Sequence, residues 1–226
     1  MGKIIIFGVS QLASLAHFYF ENDTKHQVVA FTVDKDYIKE NEFRGLPLIP
    51  FEKIEMLYPP KDYKMFLPIS FKQMNFLRKR KFDQAKLKGY ECVSYISSKA
   101  TIWPDLKIGE NCFIFEDNTI QPFVKIGNNC ILWSGNHIGH HTEIKDHVFI
   151  TSHVVISGCC EIGENSFFGV NATIRDETNI GKGTLVGMGA IITKDTPEFS
   201  IWIGAKSTMR EEKSIDIDSI SHKTNG

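Results

Sequence analysis

The sequence predicts a small α/β unit followed by a parallel β-helix. Two observations carry this. From Ile96 to Ile192 every sixth residue is large and apolar, without a slip. Residues 1–90 lack that register and read instead as strand, helix, strand, strand, helix. Composition agrees: 226 residues with 42% apolar and 23% charged side chains are enough to bury a core and too apolar for global disorder.

The N-terminal elements follow in order. Residues 3–7 (KIIIF) read as a buried strand, followed by Gly8-Val9-Ser10. Ser10 is placed to N-cap a helix with an apolar stripe of Leu12, Leu15, Ala16 and Tyr19. Residues 28–33 form a second strand ending at Asp34, and residues 65–69 a third. Residues 72–88 form a helix with Met74, Leu77, Phe82 and Ala85 inward. Such a unit has a parallel sheet, and ligands bind at the carboxyl ends of its strands, here Gly8, Ser10, Asp34, Lys35 and Ser70. The segment GVSQLA lacks the full GxGxxG pattern, which argues against a dinucleotide-dependent dehydrogenase. It leaves two readings, a phosphate held by free N–H groups at the helix start or a plain turn at Gly8. The second helix is basic, with Lys72, Arg78, Lys79, Arg80, Lys81, Lys86 and Lys88 against Asp83. That reads as a solvated face, or as attraction for an anionic, phosphate-bearing substrate.

The six-residue register fits neither a helix nor one flat strand. It fits a short strand and a turn forming one side of a triangular coil, so three sides close in eighteen residues. Four residues after each large side chain stands mostly a slim one, among them Cys112, Val124, Cys130, Thr142, Val154, Cys160, Ala172 and Ala190. Cys112, Cys130 and Cys160 are therefore read as packing residues. Gly109, Gly127, Gly163 and Gly181 directly follow register positions, where a turn is expected to want backbone freedom. Each coil buries its core only by stacking on its neighbours.

A formal charge of −1 argues against a nucleic-acid binder. The apolar run 4–7 is too short for membrane insertion or a signal sequence, and Met1-Gly2 lacks the Ser or Thr that a myristoylation site wants at position 6. The cytoplasm is the expected location. Five cysteines without a CxxC pair suggest reduced thiols, with neither a disulfide framework nor a zinc ribbon.

His137, His140, His141, His147 and His153 cluster within residues 137–153, all off the inward register. They are expected on strand edges and turns. Three readings stand: solvated or interface histidines, a zinc site, or one general base with the others as neighbours or cofactor contacts. Stacking sets residues eighteen apart side by side, and none of the five has another histidine at that spacing. A metal site built from them would have to span two subunits.

Within this repeat, Ile138-Gly139-His140-His141-Thr142-Glu143-Ile144 resembles the catalytic turn of the bacterial hexapeptide-repeat sugar acyltransferases. Over about residues 3–206 the chain is similar to the members acting on nucleotide-linked 4-amino sugars, alongside sialic-acid O-acetyltransferase-like ones. The resemblance implies an α/β N-terminal domain at 1–90 (a small parallel sheet, a Rossmann-like half) that binds a nucleotide sugar. It implies a left-handed parallel β-helix acyltransferase domain at 91–205 and a tail at 206–226. The handedness rests on the resemblance alone, since crossovers are otherwise right-handed. His140 matches the family's general base, which is usually followed by Asp or Glu. Here His141 follows, which leaves Glu143, Asp146 or a residue of another subunit as a replacement for that acid. Ser157-Gly158 resembles the turn that sets a backbone N–H near the thioester. Gly169-Val170-Asn171 and Gly187-Met188-Gly189-Ala190 resemble the strip along which pantetheine lies. Ile203-Gly204-Ala205-Lys206 resembles the end motif near the CoA phosphates, without its usual proline. Gly8, Ser10, Gln11, Asp34, Lys35, Phe71 and Lys72 fall at the family's nucleotide-binding positions.

The implied activity is acyl transfer from acetyl-CoA, or another short acyl-CoA, to the amine of a nucleotide-linked 4-amino-4,6-dideoxy sugar in surface-glycan (lipopolysaccharide or capsule) precursor synthesis. It proceeds directly, with no metal required and no acyl-enzyme, in a homotrimer whose sites lie between subunits. Transfer to a sugar or sialic-acid hydroxyl is the alternative; the missing acid beside His140 favours the more nucleophilic amine. A zinc-dependent hydratase and a non-catalytic sugar-nucleotide-binding β-helix are further readings. In the polar tail, residues 208–213 have room for one helical turn.

Overall fold

The computed structural model describes residues 2–211 and 213–216. The first part contains β1 (Lys3–Phe7), α1 (Gln11–Asp23), β2 (Gln27–Val33), β3 (Glu42–Phe43), β4 (Leu46–Pro50), α2 (Ile54–Leu57), β5 (Tyr63–Phe66) and α3 (Phe76–Leu87). The sheet order is β3-β4-β2-β1-β5, parallel except for β3. The β3–β4 hairpin is absent from the sequence reading because Pro47 and Pro50 disguise β4, a strand near the sheet edge. The third predicted strand lies earlier than expected, at Tyr63–Phe66, and Ile69 is beyond it.

Ser10 caps α1 as predicted, its hydroxyl accepting from the Ala13 N–H at 3.3 Å. The buried stripe of α1 is Leu12, Ala13, Ala16 and Phe20. Leu15 and Tyr19 are only half-buried, since they face the β-helix, where the Tyr19 hydroxyl donates to Glu116 at 2.9 Å. α3 begins at Phe76 rather than Lys72, because Gln73, Met74 and Asn75 all hold positive φ (54°, 49° and 67°). Phe82 and Ala85 are buried as expected, and Met74 and Leu77 only partly.

The β-helix runs through two-residue strands from Tyr95–Ile96 (β6) to Ile201–Trp202 (β22), each pairing in parallel with strands one coil away, mostly eighteen residues on. The inward register holds from Ile108 to Ile192. Ile102 is the exception, 39% exposed, because the chain there makes only an isolated bridge at Thr101 and has no preceding coil to stack on. Cys112, Cys130 and Cys160 are buried, free thiols in the prism, as read.

The glycines after register positions serve a different purpose from the one expected. A Cβ on Gly109 would stand 2.7 Å from Asn128 N, and one on Gly163 2.5 Å from Lys182 N. They permit close approach of successive turns rather than unusual dihedrals. The left-handed conformation sits two residues later, at Asn111, Asp117, Phe123, Asn129, His141, His147, His153, Cys159, Asn165, Asn171 and Glu177, all with φ between 55° and 66°. Asn, Asp and His tolerate that region better than most side chains.

The three faces of the prism differ. One, with Phe113, Ile131, Phe149 and Phe167 outward, is covered by α1 and its neighbours. A second carries Lys107, Lys125, Glu143 and Glu161, tied across coils by ion pairs such as Lys145–Glu161 at 3.3 Å. The third presents Thr119, His137, Val155, Thr173 and Ile191, and Ile191 is 71% exposed. We call these the covered, charged and open faces.

The joint between the two parts overturns one reading of the basic helix. Arg78 is neither solvated nor available to substrate: it is 0% exposed. Its guanidinium donates to the carbonyls of Asn129, His147 (2.9 Å) and Val148 (3.4 Å) at the corner between the charged and covered faces. Asn75 adds bonds to the carbonyls of Asn165 and Ser166. The left-handed residues of that corner form a ladder, with Asn111 donating to Asn129 at 2.8 Å and Asn129 to His147 Nδ1 at 2.9 Å. Past Trp202, residues 208–211 and 213 contain no helical turn; a short 3-10 turn occupies Ser214–Asp216, and residues 212 and 217–226 lie outside the described residues.

Candidate functional site

The predicted site residues gather at two different edges of the prism. His140 and His141 occupy the turn after the strand His137–Ile138, at the corner between the open and charged faces. Both rings are exposed. The His140 N–H donates to the Gln121 side chain at 2.8 Å, and its carbonyl accepts from Cys159 N at 2.8 Å. His141 lies against Phe123, ring centroids 4.6 Å apart, and its Nδ1 is 3.1 Å from His140 Nδ1. Gly158, one coil on, carries the His140 ring over its Cα: a Cβ there would stand 2.7 Å from Cε1.

The missing acid is not supplied from within the described chain. Glu143 pairs with Lys145 at 2.8 Å and Lys125 at 3.8 Å. Asp146 accepts from Asn128 N at 2.6 Å. His140 Nδ1 touches His141 Nδ1 at 3.1 Å and Cys159 Sγ at 3.9 Å, neither of them a carboxylate.

Gly169, Val170, Asn171, Gly187 and Met188 belong to the next column of turns, at the corner between the covered and open faces. These turns stack closely, since a Cβ on Gly204 would lie 2.5 Å from the Met188 carbonyl oxygen. Met188 is 74% exposed and Lys206 is exposed beyond the last strand. Ala190 is corrected: its methyl is buried in the prism, and its N–H and carbonyl are bonded to Gly187 and Thr173.

The same corner meets the α/β part. β1 lies between β2 and β5, so the crevice at its carboxyl end is a topological switch point. A cavity of about 390 Å³ opens there, lined by Gln11, Ser70 and Phe71 from one side and Trp133, Ser152 and Val170 from the other. Phe71 packs on Phe167 at 4.8 Å. Gly8 (φ 111°) and the capping Ser10 form the adjoining loop. Asp34 is bound to Lys81 at 2.6 Å, while Lys35 and Lys72 are exposed and outside the cavity lining. Trp133 and Ser152 were missed in the sequence; they stand about thirty-six and eighteen residues, respectively, before Val170, in the same column.

One sequence argument fails. His140, His141 and Cys159 place ligand atoms within 4.8 Å of one another in a single chain. Counting only histidines at the stacking interval overlooked Cys159, which stands eighteen residues after His141.

The family model described as the GMPPB C-terminal domain matches residues 91–198. No curated protein matches the sequence. Among solved structures, a histidine-to-asparagine mutant of perosamine N-acetyltransferase from Caulobacter crescentus, in complex with CoA and GDP-perosamine, superposes with TM-score 0.80 at 22% identity, covering 94% of this chain and 98% of that one. The acetyltransferase domain of PglB from Neisseria gonorrhoeae FA1090 gives 0.76 at 20% identity, covering 90% and 97%. WeeI from Acinetobacter baumannii AYE gives 0.76 at 21%, covering 90% and 97%. The chain is thus a hexapeptide-repeat protein whose fold, an α/β part followed by a left-handed parallel β-helix, is that of these solved structures. It shares their architecture over nearly its whole described length.

Proposed function

We propose that the chain is an acyl-CoA-dependent N-acetyltransferase acting on the amine of a nucleotide-linked 4-amino sugar. The observation that carries this is a paired feature: a switch-point cavity able to take a nucleotide sugar, and an exposed imidazole with one nitrogen engaged and the other open. Full-length similarity in fold to a protein solved with CoA and GDP-perosamine supports the substrate class.

In the proposed reaction the sugar amine attacks the thioester carbonyl carbon, the C–N bond forms, and the C–S bond breaks to release CoA thiolate. The reaction uses the tautomer in which His140 Nδ1–H donates to His141 Nδ1, 3.1 Å away, which leaves Nε2 with a lone pair; among the described residues no group bonds Nε2. Nε2 takes the amine proton, which then passes to the thiolate. Positioned proton transfer of this kind is worth roughly 10²–10⁴-fold. The Gly158 N–H is a donor for the developing oxyanion. CoA would lie along the turns of Gly169, Val170, Asn171, Gly187 and Met188, with Lys206 near its phosphates. Gly8, Ser10, Gln11 and Phe71 would hold the nucleotide sugar, with Asp34, Lys35 and Lys72 at the rim.

The cavity and His140 stand on opposite sides of the open face, one full side of the prism apart. An acceptor held in one chain's cavity therefore meets the histidine of a neighbouring copy. The open face, uncharged and partly apolar, is the surface we assign to that contact, in a homotrimer. We place the chain in the cytoplasm, a reading supported by its five free cysteines.

The test is thiol release from acetyl-CoA with a panel of amino- and hydroxy-sugar nucleotides, for the wild type and His140→Ala. The expected result is turnover with an amino sugar that falls by at least about 10²-fold in the variant. Near-normal turnover in the variant removes His140 from the role, and turnover only with hydroxyl acceptors replaces the amine.

A further inference from the structure

We infer that His140, His141 and Cys159 form a binding site for a thiophilic divalent cation, of which Zn²⁺ is the fitting member, and that its occupation shuts off acyl transfer. The regulatory half of this inference rests on the proposed role of His140; the binding half does not.

The geometry comes first. His140 Nδ1 lies 3.1 Å from His141 Nδ1 and 3.9 Å from Cys159 Sγ. All three ligand atoms lie within 4.8 Å of one another, and all three residues are exposed. With Zn–N near 2.0–2.1 Å and Zn–S near 2.3 Å, a tetrahedral site sets its nitrogens about 3.3 Å apart and nitrogen and sulfur about 3.6 Å apart. The two separations made by His140 stand within about 0.3 Å of that arrangement, and His141 and Cys159 lie within 4.8 Å of each other, so a small side-chain rotation closes the set. Two imidazoles and a thiolate favour Zn²⁺ over the hard ions Mg²⁺ and Ca²⁺. Three protein ligands leave the fourth position to water.

The backbone explains why the set is preformed. His141 and Cys159 both occupy the left-handed corner position, φ 59° and 58°, in turns one coil apart. The Cys159 N–H to His140 carbonyl bond clamps the two turns together. Gly158 leaves room for the His140 ring beside the thiol.

The consequence for catalysis follows from imidazole chemistry. The metal takes the Nδ1 lone pair of His140, and a neutral imidazole bound through Nδ1 carries its proton on Nε2. The atom that would accept the amine proton is then already protonated. Binding also replaces the thiol proton of Cys159, which is released to solvent. No redox change is involved.

The test uses the full-length protein freed of metal with a chelator. Co²⁺ titration should give a thiolate-to-cobalt absorption band and the visible spectrum of a tetrahedral ion, saturating at one per chain. Zn²⁺ should displace it, and Mg²⁺ should not. Cys159→Ser should lose the band. In the transfer assay Zn²⁺ should inhibit the wild type reversibly, while Cys159→Ser keeps its metal-free turnover and needs at least about tenfold more Zn²⁺ for the same inhibition. Absence of the band, or its survival in Cys159→Ser, overturns the site. A band with unimpaired transfer at saturating Zn²⁺ overturns the inhibition while leaving the metal site. A chain inactive with every acceptor, yet showing the band, refutes the proposed enzyme function and not the cation site.

Discussion

The ring of His140 covers Gly158 so closely that a methyl group there would stand 2.7 Å from Cε1 and 2.9 Å from Nε2. Gly158 does not hold positive φ, so alanine at this position acts through space and not through backbone strain. Gly158→Ala should push the imidazole off its coil and lower kcat by roughly 10–10²-fold, as expected for a misplaced proton acceptor. The melting temperature should hold, because the turn is at the surface. Steady-state kinetics beside a thermal melt check both halves; an unchanged kcat means the ring need not rest there.

The separation of cavity and histidine across the open face makes a complementation experiment decisive. His140→Ala and Phe71→Asp chains should each be nearly inactive alone. When unfolded and refolded together in equal amounts as trimers, about a quarter of the sites pair an intact cavity with an intact histidine. Turnover should recover to about that fraction. If both groups act within one chain, no recovery occurs. Light scattering on the wild type should report a trimer at micromolar concentration.

Arg78 and Arg80 are two residues apart on α3 and should behave very differently. Arg78 donates to carbonyls of the β-helix corner from a buried position, without a carboxylate partner among the described residues, and burial pulls its pKa down to about 10. Arg78→Met should cost about 2–4 kcal/mol, because buried carbonyls lose their donor. Arg80, exposed and bonded to Gln73 at 2.8 Å, should cost within about 0.5 kcal/mol on the same change. Urea denaturation midpoints measure the contrast.

His147 gives the joint a pH dependence. Burial, together with the positive charges of Lys79 and Arg78, lowers its pKa from 6.5 to about 4; Asp146 and Glu164 oppose the shift more weakly. Between about pH 4 and 6.5 the unfolded chain binds a proton there that the folded chain refuses. Stability is therefore full above that window and falls as pH drops through it, by up to about 3 kcal/mol. His147→Asn should remove this dependence. Asparagine already occupies the equivalent left-handed corner at positions 111, 129 and 165. Parallel denaturant titrations of the two proteins at pH 7 and pH 5 read the difference.

The β-helix was legible because one physical demand, a large apolar side chain every sixth residue, recurs without interference. Ser10 and β1 were legible for equally local reasons. The β3–β4 hairpin was not, since prolines are tolerated there only because of the strand's place in the sheet. Nor was the burial of Arg78: its partners are main-chain carbonyls, which no sequence displays. At the candidate site, His140 stood out by its motif. Cys159 did not, because its importance comes from stacking on a turn eighteen residues earlier.

Stacked coils also act as a ruler. α3 is fastened to the turns that contain Asn129, His147 and Asn165, and His140 belongs to the same stretch of the solenoid. Each additional rung advances the chain by one strand spacing, about 4.8 Å. The vertical offset between the cavity and the His140 ring is therefore fixed in whole steps. An eighteen-residue rung spliced in just before His140 would change that offset by one step, but it would also part the Asn129 and His147 carbonyls that Arg78 joins, so the number of rungs and the seating of α3 cannot change independently.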